Sequence, residues 1–212
     1  MKDDCRYVRA VRGRPRKSDA ERAEVRQRIL ESTAGVYVEH GHAGLTVERI
    51  ARAAGMSKPT FYKYFSSSAA AMSELVAECN RRLRERIEAA VSGRSELADK
   101  IDAGIDAYLD WSDEIGDALL VFRAEEAGSP AVVAGLRTES NAVCSGMIEA
   151  LAADSNLHPA PEVIAMLLAA MQAGARQYQA DPSRRAAVKQ GMLRFAAIAA
   201  VPTNASGDTW GA

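Results

Sequence analysis

Two stretches in the first third of this sequence concentrate side chains that could do chemistry. One is Arg12-Gly13-Arg14-Pro15-Arg16-Lys17; the other holds Ser57, Lys58, Thr60 and Lys63. Ammonium, guanidinium and hydroxyl donors at that density suit the oxygens of a polyanion, where recognition needs donors rather than a reacting group. The pattern lacks what catalysis would need: there is no glycine-rich phosphate loop, no metal-ligand spacing and no nucleophile with a paired base. His40 and His42 form a His-x-His pair without a third ligand nearby. Cys5, Cys79 and Cys144 are odd in number and far apart, which argues against a disulfide framework and fits a reducing cytoplasm. No enzyme activity, cofactor or metal is therefore expected.

The charge distribution sharpens this reading. Residues 1–64 carry 14 Lys and Arg against 8 Asp and Glu, whereas residues 65–212 carry 13 against 20. A basic end on an acidic body suggests that the first segment alone meets a polyanion; a solvated basic tail is the competing explanation. No apolar run reaches the roughly 18 residues a membrane span needs, so no membrane partner is expected. The Arg-rich start has no apolar segment behind it and does not read as a secretory signal.

Apolar residues recur at helical spacing throughout and strand signals are nearly absent, so the fold class is all-α, with about nine helices. Residues 1–18 read as a disordered basic arm. Ser18 and Glu21 have capping-box spacing and open a first helix that ends at His40-Gly41. Thr46 caps a second helix reaching about Ala54, and Ser57 caps a third from Lys58 to Tyr64 with Pro59 in its first turn. Ser67 caps a long fourth helix ending near Val91. Five more are expected near 95–111, 113–127, 130–153, 160–179 and 183–200, divided by Gly, Pro and Ser-Asp breaks, before a disordered tail over 202–212. Domains are expected at 19–66 and 67–201.

The segment from Val47 to Tyr64 meets the demands of a helix-turn-helix. Ala51 is small where the two helices cross, Gly55 can take the positive φ of the turn, and Phe61 is the inward anchor. Ile50, Ala54, Met56 and Phe65 complete a small core, leaving Ser57, Lys58, Thr60 and Lys63 outward. A helical hairpin with a glycine turn would satisfy only part of this pattern.

Ile29-Leu30-Glu31 through Gly41, Leu45 to Ala51, Ala54-Gly55-Met56-Ser57-Lys58 and Phe61-Tyr62-Lys63-Tyr64-Phe65 together resemble the DNA-binding domain of the TetR family, without gaps, over about residues 19–76. The resemblance implies a ligand-responsive transcriptional regulator, a repressor released from a palindromic double-stranded operator by a small molecule. It implies a homodimer in the cytoplasm. Activation instead of repression stays open, because operator position decides it. Carried over by position, Thr46 holds a phosphate at a helix N-terminus. Ser57, Lys58, Thr60 and Lys63 face the major groove or its rim, and Pro59 stiffens the helix beside a thymine methyl. Tyr62 and Tyr64 reach phosphates, with Tyr64 equally readable as a core aromatic. Three departures stand out: Ser68 where the family places a phosphate-gripping lysine, His42 where it prefers an aromatic, and Gly35 inside the first helix. Gly13-Arg14-Pro15-Arg16 resembles an AT-hook core, placing Arg14, Arg16 and Lys17 in a minor groove or, alternatively, in general phosphate attraction.

Val163, Leu167, Ala170, Met171, Gly174 and Tyr178, with Val188, Met192, Phe195, Ala196 and Ala199, are the candidates for a four-helix dimer interface; packing inside one subunit is the alternative. An effector pocket is expected among helices 4 to 7, lined by Tyr108, Trp111, Phe122 and Met147, with Glu125 and Glu126 as polar anchors. Ordinary core and a solvated helix face are the alternatives for these residues.

The arm generates the first prediction. Deleting residues 1–17 removes Arg6, Arg9, Arg12, Arg14, Arg16, Lys2 and Lys17 against Asp3 and Asp4. DNA affinity should fall and the slope of log affinity against log salt should become shallower. An unchanged slope would mean that the arm does not touch DNA.

Overall fold

The first helix starts where its orphan N–H groups find partners. The Ser18 hydroxyl accepts from the Glu21 N–H at 3.2 Å, and the Glu21 carboxylate accepts from the Ser18 N–H at 2.7 Å. This reciprocal cap opens α1, Asp19–Gly44. The computed structural model describes residues 18–116 and 131–200. Along them follow α2 (Val47–Ala53), α3 (Lys58–Phe61), α4 (Ser68–Val91), α5 (Leu97–Ile115), α6 (Ala131–Asp154), α7 (Pro161–Ala180) and α8 (Arg185–Ala199), with a 3-10 turn at Pro182–Arg184. Among the described residues there are eight α-helices and no strand.

Gly41 turns the chain with φ 63° and ψ −171°, a pair open essentially to glycine, and one short helical turn follows to Gly44. Gly55 takes φ 65° in the turn between α2 and α3. The third helix is regular only to Phe61 and then tightens, with Lys63 N–H bonding to Thr60 C=O at 3.2 Å and Tyr64 N–H to Phe61 C=O at 2.9 Å.

The expected break at Ser112-Asp113 does not occur. Ser112 is buried and its hydroxyl donates to the Leu109 carbonyl at 2.7 Å, so the polar side chain is satisfied inside the helix. The helix ends instead at Gly116. The rest of the helix expected over 113–127 lies outside the described residues, as do the arm and the tail from 201.

The first four helices share one core in which Ile29, Ile50, Phe61 and Met72 are fully buried or nearly so. It extends without interruption past Leu83 to Trp111 and Leu136. A second cluster joins Ile105, Leu109, Tyr178, Val188 and Met192. Outside it, α8 is held on α5 by an ion-pair ladder. Lys189 bonds to Asp102 at 2.8 Å and Asp106 at 2.7 Å, and Arg185 bonds to Asp110 at 2.5 Å.

The outward face of α7 and α8 differs from the expected one. Tyr178, Val188, Met192 and Ala196 are buried, and Val163, Leu167 and Met171 turn toward a cavity. Gly174 permits a close approach within the subunit, because a Cβ there would lie 2.9 Å from Met192 Cγ. Of the expected set, Phe195 does point out, at 58% exposure, beside Met166 at 65% and Ile198 at 72%. A period of 3.6 places two apolar stripes on each of these alanine-rich helices, and the bulkier interior claims the wrong one for a reader of sequence alone.

Two substitutions test this packing by urea unfolding. Phe61→Ala should cost about 3–5 kcal/mol as a core aromatic truncation. At Gly35 an added Cβ meets nothing within 4 Å, so Gly35→Ala should stabilise by up to about 1 kcal/mol through helix propensity. A destabilised Gly35→Ala protein would contradict the open helix face.

Candidate nucleic-acid interface and ligand cavity

The candidate interface is built on two helix caps. Thr46 Oγ1 accepts from the Arg49 N–H at 3.3 Å, which leaves its exposed hydroxyl proton to donate outward at the start of α2. Ser57 Oγ accepts from the Thr60 N–H at 3.4 Å and lies 3.0 Å from Thr60 Oγ1, so the two hydroxyls opening α3 are coupled. Pro59 is exposed in the first turn, and Lys63 and Tyr62 are exposed beyond it. Tyr64 is half-buried and packs on the core, while Phe61 has no exposed surface.

Lys58 is engaged in an ion pair. Its ammonium donates to Glu48 Oε2 at 3.0 Å, and Glu48 also meets Arg52 at 3.4 Å. The hydrogen bond and charge of Lys58 hold the Glu48 carboxyl below the usual carboxylate range. A phosphate or base edge that met this surface would have to take Lys58 from this neighbour. Both groups are exposed, so the exchange is cheap.

Arg26 fixes the angle at which this face meets the rest of the molecule. Its guanidinium lies 4.5 Å from the Phe65 ring centre, donates to the Tyr64 carbonyl at 3.3 Å and pairs with Glu74 of α4. One side chain on α1 thus ties the end of the recognition segment to the long helix.

The far half of α4 borders a cavity of about 160 Å³. Leu83 and Ile87 of α4 line it, with Ile101, Ile105 and Tyr108 of α5, Met147 and Ile148 of α6, and Val163, Leu167 and Met171 of α7. Cys144 is also on the wall; burial pushes its thiol, and that of Cys79, up to about 11, so neither is a reactive thiolate at neutral pH.

The sequence model for bacterial regulatory proteins of the tetR family matches residues 29–79, the stretch that builds the helix-turn-helix and the first half of α4. That stretch of the chain is a tetR-family regulatory segment. Over 194 residues the chain is 24% identical to the HTH-type transcriptional activator FasR of Mycolicibacterium smegmatis, spanning 89% of this chain and 88% of that protein. Its fold is that of the fatty acid degradation regulator FadR from Bacillus halodurans, with a TM-score of 0.67 at 15% identity over 84% of this chain and 97% of that one. It is likewise similar to SmeT, solved as a complex with triclosan, with a TM-score of 0.66 at 13% identity over 89% of this chain and 100% of the other. FasR and FadR are both named as regulators, one an activator and one a degradation regulator.

The positions taken from sequence separate into groups. Thr46, Ser57, Lys58, Pro59, Thr60, Tyr62 and Lys63 gather at the exposed side of α2 and α3, with Tyr64 at its edge. Tyr108 and Met147 line the cavity. Trp111 does not; it stacks on Tyr108 with ring centres 5.8 Å apart and donates from Nε1 to the Cys79 carbonyl at 3.2 Å, binding α5 to α4. Arg14, Arg16, Lys17, Phe122, Glu125 and Glu126 lie outside the described residues.

Sequence reading passed over Glu48, Arg26 and Lys100. Glu48 precedes Lys58 by ten residues across a turn, so no helical spacing flags the pair. Lys100 carried a signal: it occupies an apolar position in the row Leu97, Ile101, Gly104, Ile105 and Tyr108.

Lys58→Ala and Lys63→Ala should each weaken operator binding and reduce the salt slope by about 1 while leaving the melting temperature nearly unchanged. Glu48→Gln, which releases Lys58, should tighten binding about two- to fivefold. Fluorescence anisotropy on one operator checks all three, and tighter binding by Lys58→Ala would contradict the placement of that residue on the DNA side.

Proposed function

We propose that this TetR-family regulator is a dimeric repressor that binds a palindromic operator and leaves it when a small molecule fills the cavity between α4 and α7. The observation that carries the reading is the dual environment of α4. Met72, Leu75 and Val76 belong to the core beneath the recognition segment, and Leu83 and Ile87 form cavity wall on the same helix. A ligand that favours one packing of α4 against α5 therefore favours one placement of α3.

Residues 19–66 act as the DNA-binding domain in this reading, and the helices beyond Ser67 sense and dimerise. The exposed Met166, Phe195 and Ile198, flanked by exposed alanines on α7 and α8, support a two-fold four-helix contact. Ser57, Lys58, Thr60 and Lys63 read the major groove, Thr46 and Tyr62 hold phosphates, and the basic arm adds affinity. Among the described residues no helix is long and apolar enough to cross a membrane, and a cytoplasmic regulator fits that. One relative is named an activator; the operator's place relative to the promoter decides the sign for this chain.

Two recognition helices must stand about 34 Å apart to enter successive major grooves. Emptying a site from 99% to 1% occupancy requires a ligand preference of roughly 5.5 kcal/mol for the incompatible state. By linkage, operator DNA weakens ligand binding by the same factor. Compounds that raise the melting temperature identify ligands; calorimetry with and without operator should then give different affinities, and equal affinities would sink the release mechanism. Deleting the gene should raise expression from the operator's promoter, and a fall would make the protein an activator.

A further inference from the structure

The cavity is lined almost wholly by apolar side chains, with one charged residue, Lys100, among them. Leu97, Lys100, Ile101, Gly104, Ile105 and Tyr108 follow each other at i, i+3, i+4 spacing on one side of α5, so Lys100 stands where the pattern calls for an apolar residue. Its side chain is 9% exposed and its ammonium pairs with Asp154, whose side chain is 67% exposed. The two partners differ in how easily they can part. Asp154 is the last residue of α6, where its charge opposes the negative end of the helix dipole, and it can turn into water. The buried ammonium cannot, and left alone it would be an uncompensated charge in an apolar wall. An arriving anion with an apolar body satisfies both needs. From Lys100 to Tyr108 the wall follows about 12 Å of helix, room for a chain lying along α5.

We propose that the cavity takes a slender amphiphile with an apolar tail and one carboxylate, and that this carboxylate replaces Asp154 on the Lys100 ammonium. The inference rests on the reading of the cavity as the effector site. Asp154 acts as an internal counterion that keeps Lys100 paired while the cavity holds no ligand. The ligand brings one negative charge because one ammonium receives it. Its tail runs past Ile101 and Ile105 toward Tyr108 and Met171.

The test is calorimetry of the full-length protein with decanoate and decan-1-ol, which share a tail and differ in charge. Wild type should bind decanoate at least tenfold tighter than decanol. Lys100→Met, which keeps length and apolar contacts, should lose that preference while retaining decanol binding within severalfold. Asp154→Asn, which removes the competing carboxylate, should bind decanoate severalfold tighter and decanol as before. Equal binding of both compounds by wild type and Lys100→Met would overturn the anchor and leave the effector cavity standing. Failure of wild type to bind either compound would overturn the anchor and count against the effector cavity as well.

Discussion

Helix α4 runs unbroken for 24 residues between two environments, the core under α2 and α3 and the wall of the cavity. Its first half is locked to the recognition segment by Met72 and Val76 in the core and by Glu74 on Arg26. Its second half is locked to α5 and α6 by the Cys79 carbonyl on Trp111, by a buried 2.8 Å hydrogen bond from Ser140 to Asn80, and by Arg86 on Glu114. A packed helix moves as a rod, so the space around Leu83 and Ile87 and the placement of α3 cannot be set independently. No glycine or proline interrupts the helix between Ser68 and Val91.

One buried and one half-buried polar pair restrict how the helices beyond α4 can be packed. Asn80 with Ser140, and Gln172 with Asn141 at 2.9 Å, fix α6 against α4 and α7 at chosen levels. Asn80 and Ser140 are buried and must stay paired, so a sliding motion between α4 and α6 would leave both unsatisfied. Motion is easier where contacts are exposed or apolar, as at the cavity wall and the Lys58–Glu48 pair.

The DNA-binding end was legible in the sequence because local rules and tertiary demands coincide there. Ser18, Thr46, Ser57 and Ser67 all accept the backbone hydrogen bonds that their types and positions predict, and Gly55 takes the expected positive φ. The helices beyond α4 were less legible because helical period alone does not say which of two apolar stripes faces inward. Met166 and Ile198 were passed over, and Met192 was placed outward, for that reason. Ser112-Asp113 looked like a boundary because the sequence does not reveal that the Ser112 hydroxyl bonds back to Leu109. Lys100 was visible as a charge at an apolar position, yet only the packing of α6 brings Asp154 to it.

The central claim is that occupancy of the cavity and spacing of the two recognition segments are one equilibrium. Ala53 is exposed at the end of α2, and a spin label there, in a protein with Cys5→Ser, reports that spacing across a dimer. The remaining Cys79 and Cys144 thiols are pushed up to about 11 by burial and should label poorly. Pulsed electron paramagnetic resonance should give one narrow label-to-label distance on operator DNA, and a distribution displaced by several ångströms once a thermally stabilising ligand fills the cavity. A distance that stays the same with saturating ligand, free or on DNA, would contradict the account.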